Sequence, residues 1–326
     1  SRRDRLRGFA IGSSKEIAVG RMDMTVGRDR VVGKTLVGWL VVLFLAVSVG
    51  NGQENALTLF AWSDQHVQTD GNGEHLIPAI DAMNSLPGTA YPEFIGGAVA
   101  RPAFVFGCGD ITEWPTVAAK NTYEQLIIKR LKFRSYDIAG NHDTGGLSPS
   151  DTVLNWLIQR HGALRYTFEK SGVAFIALFS EYDETLNNPA QPISKAALDY
   201  LKKTLEKVPK GKPVVVATHL SFDAIANRDD FVDAFGDANV VLVLGGHYHK
   251  AVVSRYRGIN FVQCPSPAPK SDGEFTVLRI TEDRLTAIPF NYGQNRWATE
   301  KPKLLDVPIE GPTKTALQAQ TAENRK

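Results

Sequence analysis

The residues able to do chemistry gather in five short motifs. They are Asp64-x-His66, Gly109-Asp110, Gly140-Asn141-His142-Asp143, Thr218-His219 and Gly246-His247-x-His249. Each closes a short apolar run. Five of the seven histidines of the chain fall in these places. A lone histidine is usually structural, but five at the ends of apolar runs point to a metal site with mixed nitrogen and oxygen ligands. Only two cysteines are present, Cys108 and Cys264, without C-x-x-C spacing. That excludes a structural zinc of the Cys type. Cys108 falls in a strand that reads as central, which favours two unpaired thiols.

The elements that must carry these motifs follow from the hydrophobic periodicity. Strands are expected at 56–62, 102–108 and 136–139, with helices at 75–83, 116–132 and 152–159 between or after them. Strand, helix, strand, helix, strand is the pattern of a sheet with crossover connections, and such sheets gather ligands beyond the carboxyl ends of their strands. Residues 163–179 read as a hairpin turning near Ser171-Gly172. An amphipathic helix follows at 193–205. Two continuous apolar strands, 213–217 and 240–244, enclose a helix at 228–235. Strands near 258–263, 275–280 and 285–289 alternate and read as antiparallel. The Gly/Pro-rich stretch 86–101 is expected to be a loop forming a rim over the site. Gly109, Gly140 and Gly246 precede candidate ligands where the chain must turn sharply off a strand. Residues beyond 297 are polar and read as a mobile tail, 298–326. No internal repeat is present.

Composition sets the remaining bounds. The chain has 326 residues, 43% hydrophobic and 22% charged, which is ordinary for a globular protein. Residues 1–34 carry nine Lys/Arg against four Asp/Glu; the whole chain is +2, so residues 35–326 net about −3. An acidic body without a basic run argues against nucleic acid as a partner. Residues 36–49 form an apolar run after Arg28, Arg30 and Lys34, ahead of a small-x-small site at Ser48-Val49-Gly50. The run falls short of the roughly 20 residues a spanning helix needs. Residues 1–50 therefore read as a leader with a signal peptide, its start at Met22 or Met24, and the protein as secreted or periplasmic. A membrane anchor is the expectation if the leader is not cleaved. The body, 51–297, reads as one globular domain.

The five motifs, in this order, resemble the calcineurin-like metallophosphoesterase family, over about residues 56–290. The resemblance implies an α/β fold: a four-layer αββα sandwich of two mixed β-sheets with outer helices. It also implies two metal ions (Fe, Mn or Zn). Asp64, His66 and His249 would hold one, Asn141, His219 and His247 the other, with Asp110 bridging them. His142 would serve the leaving group as proton donor or charge stabiliser, and Asp143 would orient His142 or cap the following turn. The implied activity is hydrolysis of a phosphomonoester or phosphodiester by a metal-bridging hydroxide, on a small-molecule substrate. Cyclic-nucleotide or phospholipid-type diesters are the alternative within enzymes. A non-catalytic binding protein that keeps the fold is the alternative outside them.

The chain departs from some relatives. Glu113 stands three residues after Asp110, where purple acid phosphatases carry tyrosine, so an Fe(III)–tyrosinate site is not expected. Neighbouring residues carry weaker expectations: His75 and His161 structural, Trp114 core packing before a wall for an organic leaving group, and Tyr248 lining the pocket or packing at its rim. Arg101, Arg228 and Lys250 are candidates to grip phosphate.

Overall fold

A computed structural model describes residues 56–183, 185–186, 188–309, 311 and 317–318. The leader expected at 1–50 lies outside the described residues. The first sheet is built on β1 (Leu57–Trp62), β2 (Val105–Cys108) and β3 (Ser135–Ile138), which run parallel. It continues antiparallel through β10 (Glu274–Ile280) and β11 (Arg284–Asn291), with order β12-β11-β10-β1-β2-β3, where β12 is Arg296–Trp297. The second sheet begins with the hairpin of β4 (Tyr166–Lys170) and β5 (Val173–Ala177), closed by Ser171 and Gly172, both at positive φ. Its order is β4-β5-β6-β7-β9-β8, with β6 at Val214–Leu220, β7 at Val240–Gly246, β8 at Val252–Tyr256 and β9 at Ile259–Gln263.

Alternation of side chains along the strands makes the layers. On β1, Leu59 and Ala61 face the second sheet, joining Phe106, Ile138, Phe175, Val215 and Leu242 in the core between the sheets. Phe60 and Trp62 face outward and pack with Ile80, Tyr123 and Trp156. Those three come from α1 (Ile77–Ser85), α2 (Val117–Gln125) and α3 (Thr152–His161). The far side of the second sheet is covered in the same way. Ile176 and Val216 pack on Leu201 of α4 (Lys195–Leu205) and Phe231 of α5 (Arg228–Asp233). The fold is thus α/β, with two mixed sheets between outer helices. Strands covered on both faces read as continuous apolar runs, which is why β1, β6 and β7 stood out in the sequence.

Four expectations change. Residues past 297 are not all tail: β13 (Leu305–Pro308) pairs with β11, and Leu305 and Ile309 are buried between the sheets. Its apolar pattern is only four residues long and ends in proline, which an edge strand tolerates. The 86–101 loop is not a rim over the site. Tyr91 stacks on Trp297, and the Gly96 carbonyl accepts from Arg279, whose register partner Thr58 lies at the start of β1. The strand near 258–263 pairs parallel with β7 and is antiparallel only to β8. The helix expected at 116–132 is α-helical to Gln125 and then widens into a π-turn over Leu126–Arg130.

Candidate metal centre

The five motifs meet at the carboxyl ends of parallel strands. Asp64 and His66 follow β1, Asp110 follows β2, and Asn141 follows β3; His219 lies one residue before the end of β6, and His247 and His249 follow β7. Reaching one point from five strand ends needs abrupt chain reversals. Asp64, His66, Asp110, His247 and His249 all adopt positive φ, between 45° and 78°. Few non-glycine residues do so, and functional sites are where they concentrate. Packing between the motifs is close. A Cβ on Gly140 would lie 2.1 Å from Asp110 Oδ1, and one on Gly109 would lie 2.6 Å from the His219 ring.

Among the described residues three groups present ligand atoms within 4.8 Å of one another: Asp64, His66 and His249; Asp110, His219 and His247; and, between these two sets, His66, Asp110 and His142. In the first set, His66 Nε2 and His249 Nε2 lie 3.2 Å apart, and Asp64 Oδ1 is 3.5 Å from His249 Nε2. Asp64 Oδ2 accepts from the His247 N–H, while Oδ1 is buried with no hydrogen-bond partner. In the second set, His219 Nε2 lies 3.1 Å from Asn141 Oδ1, 3.2 Å from Asp110 Oδ2 and 3.2 Å from His247 Nδ1. His219 Nδ1 donates to the Cys108 carbonyl and His247 Nε2 to the Pro189 carbonyl. In the neutral rings the nitrogens that face each other are therefore bare. Lone pairs and an orphaned carboxylate oxygen converging in a buried place are what a cation requires.

The electrostatics agree. Burial pushes the Asp64 carboxyl up to about 7, only partly offset by His219. Burial would lower His219, but the charges of Asp110 and Asp64 outweigh it and carry the ring up to about 9. Burial drives His66 and His247 down to about 4, which keeps them neutral and able to ligate. The cluster thus calls for positive charge beside its carboxylates without supplying it from lysine or arginine. Asp110 lies between the sets, but only Oδ2 faces both, at 3.2 Å from His219 Nε2 and 3.8 Å from His66 Nε2. Its Oδ1 is taken by the His142 N–H.

His142 sits at the edge of this group, its ring 4.7 Å from that of His66. Its Nδ1 donates to the Glu113 carbonyl at 2.7 Å. The expectation that Asp143 orients His142 fails. Asp143 is buried and accepts from the N–H groups of Gly140, Ile111 and Thr112 and from the Thr112 hydroxyl. It ties the loop after β3 to the loop after β2, and the main chain of Glu113 holds the imidazole instead. Nor does Asp143 cap the turn after it: its partners lie in the neighbouring loop and at Gly140. No residue-type signal could have shown this, because the orienting groups at Glu113, Pro189 and Cys108 are carbonyl oxygens that every residue carries.

Other candidates resolve plainly. His75 donates to the Gln65 carbonyl, and His161 packs against Asp137. Cys108 and Cys264 are both buried and free. Arg101 lies over the Phe133 ring, and Arg228 bonds the Phe222 carbonyl, so neither is turned to phosphate. Tyr248 packs beside His247 and is partly exposed. Trp114 is not core: it is 43% exposed and lies 4.9 Å from the His142 ring. No helix among the described residues is long and apolar enough to cross a membrane.

No protein-family model matches the sequence. The human serine/threonine-protein phosphatase CPPED1 is 27% identical over 187 residues, covering 50% of this chain and 58% of the human protein. The Pongo abelii protein of that name is 26% identical over the same shares. The chain thus spans less than two thirds of the curated relatives it matches. Among solved structures, GAP50, described as the anchor in the inner membrane complex of Plasmodium, superposes with a TM-score of 0.54 at 16% identity. That match covers 82% of this chain and 95% of GAP50, and it shows a shared fold. With its five motifs in order on two mixed sheets, their ligand atoms brought to one point, and phosphatase relatives over half its length, the chain is similar to the calcineurin-like metallophosphoesterase family.

Proposed function

We propose that the chain is a metal-dependent phosphoester hydrolase. The observation that carries this is the convergence of bare nitrogen and oxygen atoms, including the partnerless Asp64 Oδ1, at the strand ends. Asp64, His66 and His249 would hold one cation and Asn141, His219 and His247 a second, with Asp110 Oδ2 facing both. When bound, two cations would supply Lewis-acid activation of a water and neutralisation of phosphoryl charge.

The chain's own residues supply the rest. The Glu113 carbonyl fixes His142 Nδ1–H, which leaves Nε2 to exchange a proton with the leaving-group oxygen. Asp143 holds the two loops that carry Asp110 and His142 in register. The carbonyls of Cys108 and Pro189 fix the tautomers of His219 and His247. The name of the CPPED1 relatives supports a phosphomonoester as substrate. A phosphodiester, cyclic-nucleotide or phospholipid, stays as the alternative. The leader at 1–50 supports secretion or a periplasmic location. A non-catalytic role is disfavoured by the joint retention of Asp110 and His142 beside a full ligand set.

The test is metal analysis of purified protein, followed by assays on p-nitrophenyl phosphate and bis(p-nitrophenyl) phosphate with and without chelator. Hydrolysis that chelation abolishes and Mn, Fe or Zn restores is expected. Reconstituted protein inert on every phosphoester tested would sink the reading.

A further inference from the structure

We propose that an apolar subsite beside His142 receives the leaving group and selects flat, uncharged, aryl-type phosphoesters. The inference rests on the hydrolase reading above. An open concavity of about 530 Å³ is lined by Trp114, whose ring packs on that of His142. One stretch of the lining is Trp114, Pro115 and Thr116, and the other is Gly145, Leu147, Ser148 and Ser150. None of the residues lining it is charged. The nearby Glu113 carboxylate is turned to the Thr69 main chain and hydroxyl.

Two exposed apolar side chains form the walls. Leu147 is 85% exposed and Trp114 43%. An isolated exposed leucine means little, but here it lines one concavity together with an exposed indole that packs on His142. Trp114 packs at 4.9 Å on His142, whose ring is 4.7 Å from His66. A group lying on the indole is therefore joined to the phosphoryl site through the residue assigned to the leaving-group oxygen. The two serine hydroxyls would serve orientation in an otherwise apolar pocket.

Leu147 is held outward by a hydrogen-bonded turn. The Gly145 N–H donates to the His142 carbonyl, Ser148 N–H to Gly145, and Ser150 N–H to Thr144. Gly145 has φ 93°, and a Cβ there would lie 2.4 Å from the Ser148 carbonyl. The Ser150 hydroxyl reaches the Pro115 carbonyl and ties the two walls together. The turn starts at His142 itself, so the wall and the residue assigned to the leaving group share one hydrogen-bonded turn.

The experiment compares kcat/KM for 1-naphthyl phosphate and ethyl phosphate in the wild type, Trp114→Ala and Leu147→Ser. Taking the ratio of ratios cancels the intrinsic reactivity of the two leaving groups. It should fall by about tenfold in Trp114→Ala and by a smaller factor in Leu147→Ser. A second arm measures calorimetric binding of 1-naphthylphosphonate and methylphosphonate to the same metal-loaded proteins. The naphthyl preference should be present in the wild type and lost in Trp114→Ala, whether or not any ester is turned over. Absence of hydrolysis with the binding preference intact would sink the hydrolase reading and keep the subsite. Equal affinities, or a ratio unmoved in both variants, would overturn the subsite. So would a concentration-dependent dimer that Leu147→Ser dissolves, because the patch would then be a contact between copies.

Discussion

The Nε2 of His247 donates to the carbonyl of Pro189 at 2.9 Å, and this leaves Nδ1 of the same ring bare, 3.2 Å from His219 Nε2. A main-chain atom 58 residues away thus decides which nitrogen of the ring is available to a cation. His219 and His142 are fixed by the same device, through Cys108 and Glu113.

Asp110 Oδ2 faces both ligand sets, at 3.2 Å from His219 Nε2 and 3.8 Å from His66 Nε2. Asp110→Asn removes its charge and offers an N–H where a lone pair is needed. Metal content should fall, and activity should fall by about a hundredfold or more. Inductively coupled plasma mass spectrometry on the same preparation used for kinetics checks both at once.

His142→Ala should separate binding from turnover. The seven proposed ligands stay in place, so metal stoichiometry should match the wild type while kcat drops by about 10²–10⁴-fold. Full activity in this variant would remove His142 from the mechanism.

Asp143 should behave as a structural residue. Asp143→Ala strips the acceptor from three buried N–H groups and a hydroxyl. The loss should be about 3 kcal/mol or more of unfolding free energy. Urea denaturation of metal-free protein reads it without interference from catalysis. An orienting role toward His142 would instead give a stable protein with poor turnover.

Asp137 sets an acid-stability limb. Burial alone would raise its carboxyl; His161, Arg160 and the Tyr123 hydroxyl outweigh that and hold it below the usual range. Tyr123 and Ser135 donate to its two oxygens, and Tyr166 donates to its carbonyl. A depressed folded-state pKa means the stabilisation is complete above about pH 4 and is lost as pH falls through the folded value. Urea midpoints between pH 2 and 7 should show this, and Asp137→Asn should flatten the acid limb. An unchanged limb in that variant would assign the effect to other carboxylates.

Much of the fold was legible because strands covered on both faces cannot hide. Residues 213–217 and 240–244 read as continuous apolar runs for the reason that they lie between two layers. The candidate ligands stood out because imidazole and carboxylate have no core use at the ends of five strands, β1, β2, β3, β6 and β7. What escaped notice shares a physical cause. β13 contributes few buried side chains, and β8 is an edge strand of partly exposed residues without a strong pattern. The orienting partners of the histidines are carbonyls, invisible to residue type. Trp114 read as core because aromatic residues usually are, and only its position beside His142 says otherwise.

The left-handed backbone at five ligand positions sets the fold against its own site. Each such residue costs on the order of 1 kcal/mol that glycine would not. His249, at φ 63° with its side chain 44% exposed, is the position where that conflict can be measured most cleanly. His249→Gly should give a metal-free protein with a higher melting temperature and a crippled centre. Left-handed geometry at these positions therefore works against folding stability, and a stability-only design of this backbone would place glycine there.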